Sequence, residues 1–341
     1  MNVVAIGGGT GLATLLRGLK RHVAGASASR GNPTIGSLAA IVTVTDEGGS
    51  SGRLRRDFRM LPPGDIRNCL VALAEDETLF AKLFNYRFKS GLGLRGHNFG
   101  NLFLTALTHL TGDFSKAVRL SSEILAVEGE IFPSTLADIH LKAKLRDGRT
   151  IYGEARITKT SVPIARLSIV PRRCKPLPEA LAALQSADLI TVGPGSLYTS
   201  LVPNLLVEGI VDALARSKAL KLYIGNLMTQ PGETRRYSAA DHLIALHEHA
   251  GRKVFDGMII STTRFSSGMR RRYASERAEP VVNDLERIEA LGVRPIQADL
   301  LAADHVARHN SERMARLLLS LAGGRRPLRR RARKGQGKAY V

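Results

Sequence analysis

No stretch of this chain approaches 18 consecutive apolar residues, so no membrane span is indicated. Two cysteines occur, Cys69 and Cys174, without CxxC or Cys/His spacing. That fits a reducing compartment and gives zinc no ligand set. Strand-like residues begin at position 2 or 3, which leaves no room for a signal peptide, and a cytoplasmic location is expected. Catalytic signatures are scarce as well. The chain has no GK[ST] of a Walker loop, no HExxH, no Ser/His/Asp or Cys/His arrangement and no evident carboxylate pair. What remains marks binding more firmly than turnover.

Acids are in deficit, with 30 Asp and Glu against 50 Lys and Arg, a net charge of +20. Eight of the basic residues fall in the acid-free stretch RRPLRRRARKGQGKAYV at 325–341. No RNA-binding aromatic motif or C2H2 finger accompanies it, so nucleic acid is not the expected partner. The stretch is expected to be a disordered basic tail behind a single domain of residues 1–324. The folded part suits an anionic small ligand.

Apolar runs followed by helical periodicity recur along the 341 residues, the pattern of a mostly parallel sheet covered by helices. A strand at 3–6, a glycine loop and a helix to about 22 come first. A Gly/Ser-rich connection over 24–37 is expected to be mobile, and a second strand covers 38–44. Residues 62–125 read as a helical insertion, with helices near 66–75, 77–86, 99–111 and 114–125. Alternation around Asp147-Gly148 predicts a small antiparallel β excursion over about 130–170. Strand, glycine turn and helix then return from 177 onward.

The opening VVAIGGGTGL runs a strand into glycines and then a helix, leaving backbone N–H groups unpaired at the positive end of the helix dipole. Gly8, Gly9 and Gly11 allow close approach of an anion, and Thr10 adds a hydroxyl. The dinucleotide fingerprint is absent, since its third glycine would fall at Leu12. The second strand ends in VTVTDEGGSSGRL. There Asp46 could accept from ribose hydroxyls or ligate Mg²⁺, Gly49, Ser50 and Ser51 offer donors, and Arg53 offers charge. In LPPGDIRNCL, Asp65 is a natural N-cap, while Asn68 beside Arg67 is left for a ligand. GHNFGNLFLTALTHL predicts a deeply buried helix whose entrance carries His97, Asn98 and Asn101, polar groups in need of partners. TVGPGSLYTS repeats the first design, with Gly193, Gly195 and Ser196 as a second phosphate cradle. Asn226, Thr229 and Gln230 follow another strand end. A pyrimidine could stack on Tyr273, and Arg308 could reach a phosphate.

Taken together, IGGGTGL, VTVTDEGGSSGRL, PPGDIRNCLVAL, GHNFGNLFLTAL, ADLITVGPGSLYTSLVPNLL, NLMTQPGET and EPVVNDLERIEALGV resemble the YvcK family. These are the gluconeogenesis factors, related to the CofD 2-phospholactate transferases. The resemblance runs in order from residue 3 to about 321. It implies a Rossmann-like, three-layer α/β fold that binds a nucleotide sugar of the UDP-N-acetylglucosamine type. It also implies a role in cell shape and cell-wall precursor supply on gluconeogenic carbon, exerted through a protein partner and without established catalysis. A homo-oligomer is expected and no cofactor is required. The CofD branch points to the alternative, a Mg²⁺-dependent transferase of a nucleotide-linked phosphoester, with Asp46 as the candidate ligand, Asp65 as a second, and Arg53 neutralising the leaving group. One departure touches that alternative: Asp46-Glu47 stands where the family usually has two aspartates.

Overall fold

The structure, a computed structural model, describes residues 1–24, 34–74, 79–303 and 306–324. Most of the connection predicted at 24–37 and all of the tail at 325–341 lie outside the described residues. β1 (Asn2–Gly7) is buried from Val3 onward, with apolar layers on both faces. It leads into α1 (Gly9–Leu19), whose Leu12, Leu15, Leu16 and Leu19 recur at helical spacing and are all buried. Each such leucine contributes about 1.5–3 kcal/mol. β2 (Ser37–Val42) pairs with β1 in parallel, Val3 opposite Leu38 and Gly7 opposite Val42.

Five helices follow: α2 (Gly49–Phe58), α3 (Gly64–Leu73), α4 (Leu79–Asn85), α5 (Phe99–Thr111) and α6 (Phe114–Ile124). The last four correspond to the predicted ones. α2 replaces the loop read after the second strand. Its start, Gly49-Ser50-Ser51-Gly52, is poor in helix formers, and tertiary packing overrides that propensity. Ser50, Ser51, Leu54 and Arg55 are buried, and a Cβ on Gly52 would lie 2.1 Å from the Glu47 carbonyl oxygen. Two further expectations change here. Pro63, not Asp65, holds the cap position of α3, and Asp65 sits inside the first turn. α5 is not deeply buried: Gly100, Asn101, Leu104 and Thr105 face inward, whereas Leu110 is 82 % exposed.

β3 (Glu130–Pro133) belongs to the main sheet rather than to the β excursion. It pairs in parallel with β2, Ala39 opposite Glu130. The excursion proper is an antiparallel sheet of β4 (His140–Leu145), β5 (Thr150–Tyr152) and β6 (Ile164–Val170), in the order β5-β4-β6. The short α7 (Glu154–Ile157) lies between its last two strands.

The α/β rhythm resumes with α8 (Pro178–Ser186) and β7 (Leu189–Val192), followed by a π-helical turn at Leu197–Leu201 that runs into α9 (Val202–Leu205). Then come α10 (Ile210–Arg216), β8 (Leu220–Ile224), α11 (Ala239–Ala250) and β9 (Gly257–Ser261). The chain finishes through α12 (Ser267–Ser275), α13 (Leu285–Ala290), β10 (Arg294–Ala298) and α14 (Ser311–Gly323).

The main sheet has seven strands in the order β10-β9-β8-β7-β1-β2-β3, and every pairing is parallel. α1 packs on α3 and α14, and α8 packs on α10, so helices flank the sheet. Gly18 lets α1 and α14 meet closely, because a Cβ there would lie 2.1 Å from the Ser311 carbonyl oxygen. Among the described residues no single helix is long and apolar enough to cross a membrane. From β1 the chain builds outward through β2 and β3, then returns to the other side of β1 with β7. That reversal opens a crevice at the strand C-termini between β1 and β7.

Candidate functional site

Both predicted glycine turns end at this crevice. After β1, Gly8 is extended, and a Cβ on it would meet Thr43 Cγ2 at 2.6 Å and Asp65 Oδ2 at 2.7 Å. Gly9 has φ +62°, a conformation that side chains disfavour. A Cβ on Gly11 would lie 2.4 Å from the Pro194 carbonyl oxygen, so the two turns touch. Gly193 makes the second turn with φ +88°.

A single cavity of about 530 Å³ opens where the turns meet. Thr10, Gly11, Gly195 and Ser196 form one wall, and Asn226, Thr229 and Gln230 from the end of β8 form the next. Tyr273 of α12 and Arg308 close the far side. Two amide oxygens here are buried with no partner, Asn226 Oδ1 and Gln230 Oε1. Gln230 Nε2 donates to Ser196 Oγ at 2.7 Å, which fixes the orientation of that side chain. Unpaired buried acceptors are costly and uncommon, and hydroxyl or N–H donors of a ligand would satisfy them. Thr229 is already committed: its hydroxyl accepts from the Glu279 N–H at 2.9 Å. The Tyr273 hydroxyl accepts from the Ala307 N–H at 2.9 Å, leaving its ring as wall. Burial pushes the lining His309 down to about 4, so it is neutral near pH 7.

Beyond the predicted Gly193-Pro194-Gly195-Ser196, the second turn meets a buried carboxylate. The buried Glu233 carboxylate accepts from the Tyr198 N–H at 2.9 Å and from the Thr199 hydroxyl at 3.0 Å. Burial raises the pKa of Glu233. A protein carboxylate thus already occupies the donors that directly follow the predicted cradle residues. The start of α1, at the positive end of its helix dipole, lines this cavity through Thr10 and Gly11.

Gly8, Gly9 and Gly193 belong to the two turns without lining the cavity, and the remaining predicted residues, from α2, α3 and the start of α5, form a separate group on the β2 side that does not line it either. Ser50 Oγ lies 3.1 Å from His97 Nδ1 and accepts from the Asn98 N–H at 3.3 Å. Asn101 Nδ2 donates to Ser51 Oγ at 3.3 Å, while Asn98 Oδ1 caps α5 by accepting from the Asn101 N–H. The polar entrance of α5 thus has hydrogen-bond partners on α2, and Asn101 Oδ1 is buried without one. Arg53 donates to the Arg95 carbonyl oxygen at 3.0 Å, and Arg67 donates to Asn68 Oδ1 at 2.6 Å.

Asp46 and Asp65 link the two groups. Asp46 Oδ1 accepts from the Gly48 N–H at 2.8 Å, and a Cβ on Gly64 at the start of α3 would lie 2.1 Å from Asp46 Oδ2. Asp65 accepts from the Gly9 N–H. Burial first, and the nearby Asp46 charge second, push Asp65 up to about 7. Burial and Asp46 likewise push Glu154 up to about 8. The transferase alternative paired these two acids as metal ligands, and the structure brings them together. Asp46 and Asp65 are suited to Mg²⁺, which takes one or two protein carboxylates and completes its shell with phosphate and water. Glu47 does not contribute. Its carboxylate lies 3.1 Å from His140 Nδ1 and 3.9 Å from Arg55 Nη1.

Sequence reasoning also missed a neighbouring cavity of about 290 Å³, which shares Asn226 and Leu227 with the first. Ser261, Thr262, Thr263, Arg264 and Asn283 line it past the end of β9. The available signal was STTRFSS directly after the strand GMII, the same strand-to-polar-turn pattern seen elsewhere at this edge.

A model of the family described as 2-phospho-L-lactate transferase CofD matches residues 3–301. A gluconeogenesis factor from Halalkalibacterium halodurans is 45 % identical, over 93 % of this chain and 95 % of that protein. One from Bacillus subtilis is 43 % identical, over 94 % and 97 %. The crystal structure of a upf0052 family protein from Bacillus halodurans superposes with a TM-score of 0.87 at 45 % identity, covering 93 % of this chain and 98 % of that one. With matches of this extent in sequence and in fold, the chain belongs to the CofD-like family of gluconeogenesis factors, the YvcK family.

Proposed function

We propose that this chain binds a nucleotide sugar of the UDP-N-acetylglucosamine type in the crevice between β1 and β7, and acts as a regulator of cell-wall precursor supply. The observation that carries this reading is a cavity joining both glycine turns, two of whose lining residues, Asn226 and Gln230, carry buried amide oxygens without a partner. The start of α1 and Arg308 receive the diphosphate. Asn226 and Gln230 accept from hydroxyl or imide donors of the sugar and base, and the Tyr273 ring flanks the base. A nucleotide sugar has this sequence of parts: an anionic centre between two hydrogen-bonding ends. Occupancy then alters a surface read by a protein partner in cytoplasmic precursor synthesis under gluconeogenic growth.

Thermal unfolding with UDP-N-acetylglucosamine tests the reading. A ligand at about 100 times its Kd adds about 2.7 kcal/mol to stability, so Tm rises with concentration. A Tm that stays constant up to millimolar ligand rules the reading out.

The Asp46–Asp65 pair favours a second reading, a Mg²⁺-dependent transferase of a nucleotide-linked phosphoester. Both carboxylates would hold the ion, and the ion would neutralise charge on the diphosphate. Asp65 also holds the Gly9 N–H, which keeps the first turn in register with the carboxylates. This reading requires consumption of the nucleotide sugar with Mg²⁺ and an acceptor. Donor recovered intact after long incubation excludes it.

A further inference from the structure

Outside the lining of the 530 Å³ cavity, residues 86–98 form a hairpin ahead of α5. Phe88 and His97 pair across it, the Phe88 N–H donating to the His97 carbonyl oxygen at 2.9 Å, and the Phe99 N–H closes the base on Tyr86 at 2.8 Å. Its tip reads SGLGLRG. Gly91 and Gly93 have φ +98° and +79°, and a Cβ on Gly93 would meet nothing within 4 Å. Leu92 stands between them fully exposed at 107 %, with Leu94 and Tyr86 also exposed. An aliphatic side chain held clear of its own protein costs hydration free energy unless something else covers it.

The charge around the tip says what does. Arg87, Lys89 and Arg95 lie on the hairpin, and Arg53 is tied to it through the Arg95 carbonyl oxygen. Arg56 on α2 and Arg59 at its C-terminal cap are exposed and follow Arg53 in the chain, Asp57 being the one acid of α2; the hairpin and α5 contain none. A second copy meeting this face symmetrically would set like charges against each other. An anionic surface is complementary to it. The apolar element is a convex protrusion rather than a groove, which a deformable lipid interface accepts without a matching socket.

We propose that the 86–98 hairpin docks the protein on an anionic lipid surface, Leu92 and Leu94 entering the headgroup–acyl boundary while the flanking arginines and Lys89 meet the headgroups. Flotation of the full chain with phosphatidylglycerol vesicles and with phosphatidylcholine vesicles, at about 0.15 M salt, tests it. The double variant L92S/L94S keeps every charge, including those of residues 325–341, so a fall in its partitioning reports insertion and not the basic tail. Partition of the parent onto phosphatidylglycerol is expected to exceed that of L92S/L94S by about tenfold or more. R87Q/K89Q/R95Q is expected to lose most of the preference for phosphatidylglycerol over phosphatidylcholine. Equal partitioning of the parent and L92S/L94S overturns the proposal. So does a parent that sediments as a leucine-dependent oligomer without vesicles, or one that binds an acidic protein through these leucines and ignores lipid. Unchanged UDP-N-acetylglucosamine binding and circular dichroism in both variants confirm that the fold is intact.

Discussion

Gly11 shows how one missing side chain can set the geometry of a site. Its α-carbon faces the Pro194 carbonyl at a distance that leaves no room for a methyl group. Replacing it with alanine is expected to cost about 1–3 kcal/mol through overpacking, and to weaken nucleotide-sugar binding by prising the turns apart. Urea unfolding and calorimetry of G11A check both effects; wild-type values for both would contradict the packing described. Asp65 makes a second prediction. Its pKa rises from 3.8 to about 7 on folding, so between those values the native state binds more protons than the unfolded chain. Stability therefore falls as pH rises through that window. Asp65→Asn should flatten the decline, measured as urea midpoints between about pH 4.5 and 8. A residual slope remains from Glu154, which shifts in the same direction. Identical slopes in variant and parent would refute the assignment. The glycines were legible in sequence because a strand running into glycine and then a helix has few other uses. Asp46 and Asp65 could be named as possible partners on one metal, but spacing does not show how α3 docks beside the end of β2, and that docking sets their proximity.

At the scale of elements, hydrophobic periodicity located α3, α5 and α6 well but overstated how much of α5 is covered. Leu104 is wholly buried and Leu110 largely exposed, although both belong to the apolar pattern of one helix. L104A should cost about 2–5 kcal/mol by leaving a cavity. L110A should stay within about 0.5 kcal/mol. Chemical denaturation separates the two, and comparable losses would mean that α5 is buried all round. α2 escaped the sequence reading for the opposite reason. Its glycine and serine start has low helix propensity, and its helical state is stabilised by partners distant in sequence, Asp138 and Ile139 for Arg55 and His97 for Ser50. Likewise β3 has four residues, too few for alternation to tell a parallel edge strand from the start of an antiparallel sheet. That α2 supplies hydroxyls opposite the polar start of α5 is a tertiary contact that the sequence does not show.

For the molecule as a whole, strand order does more than any single residue to place the site. β1 and β7 are neighbours although about 180 residues separate them, and the glycine turn after each enters one crevice. The parallel sheet could be anticipated from the recurring strand–helix rhythm; the neighbouring placement of those two strands could not be read from periodicity. That placement brings nine of the predicted ligand residues to one cavity: Thr10, Gly11, Gly195, Ser196, Asn226, Thr229, Gln230, Tyr273 and Arg308. It assigns the residues from α2, α3 and the start of α5 to a second cluster on the other side of the first turn. The central claim is that this cavity is the nucleotide-sugar site. Isothermal titration of the full chain and of its Asn226→Ala variant with UDP-N-acetylglucosamine tests it most directly. The account predicts saturable heat in the parent and an affinity about tenfold weaker in the variant, the loss of roughly one buried hydrogen bond. No heat from folded parent protein, or equal affinity in the two, would contradict it.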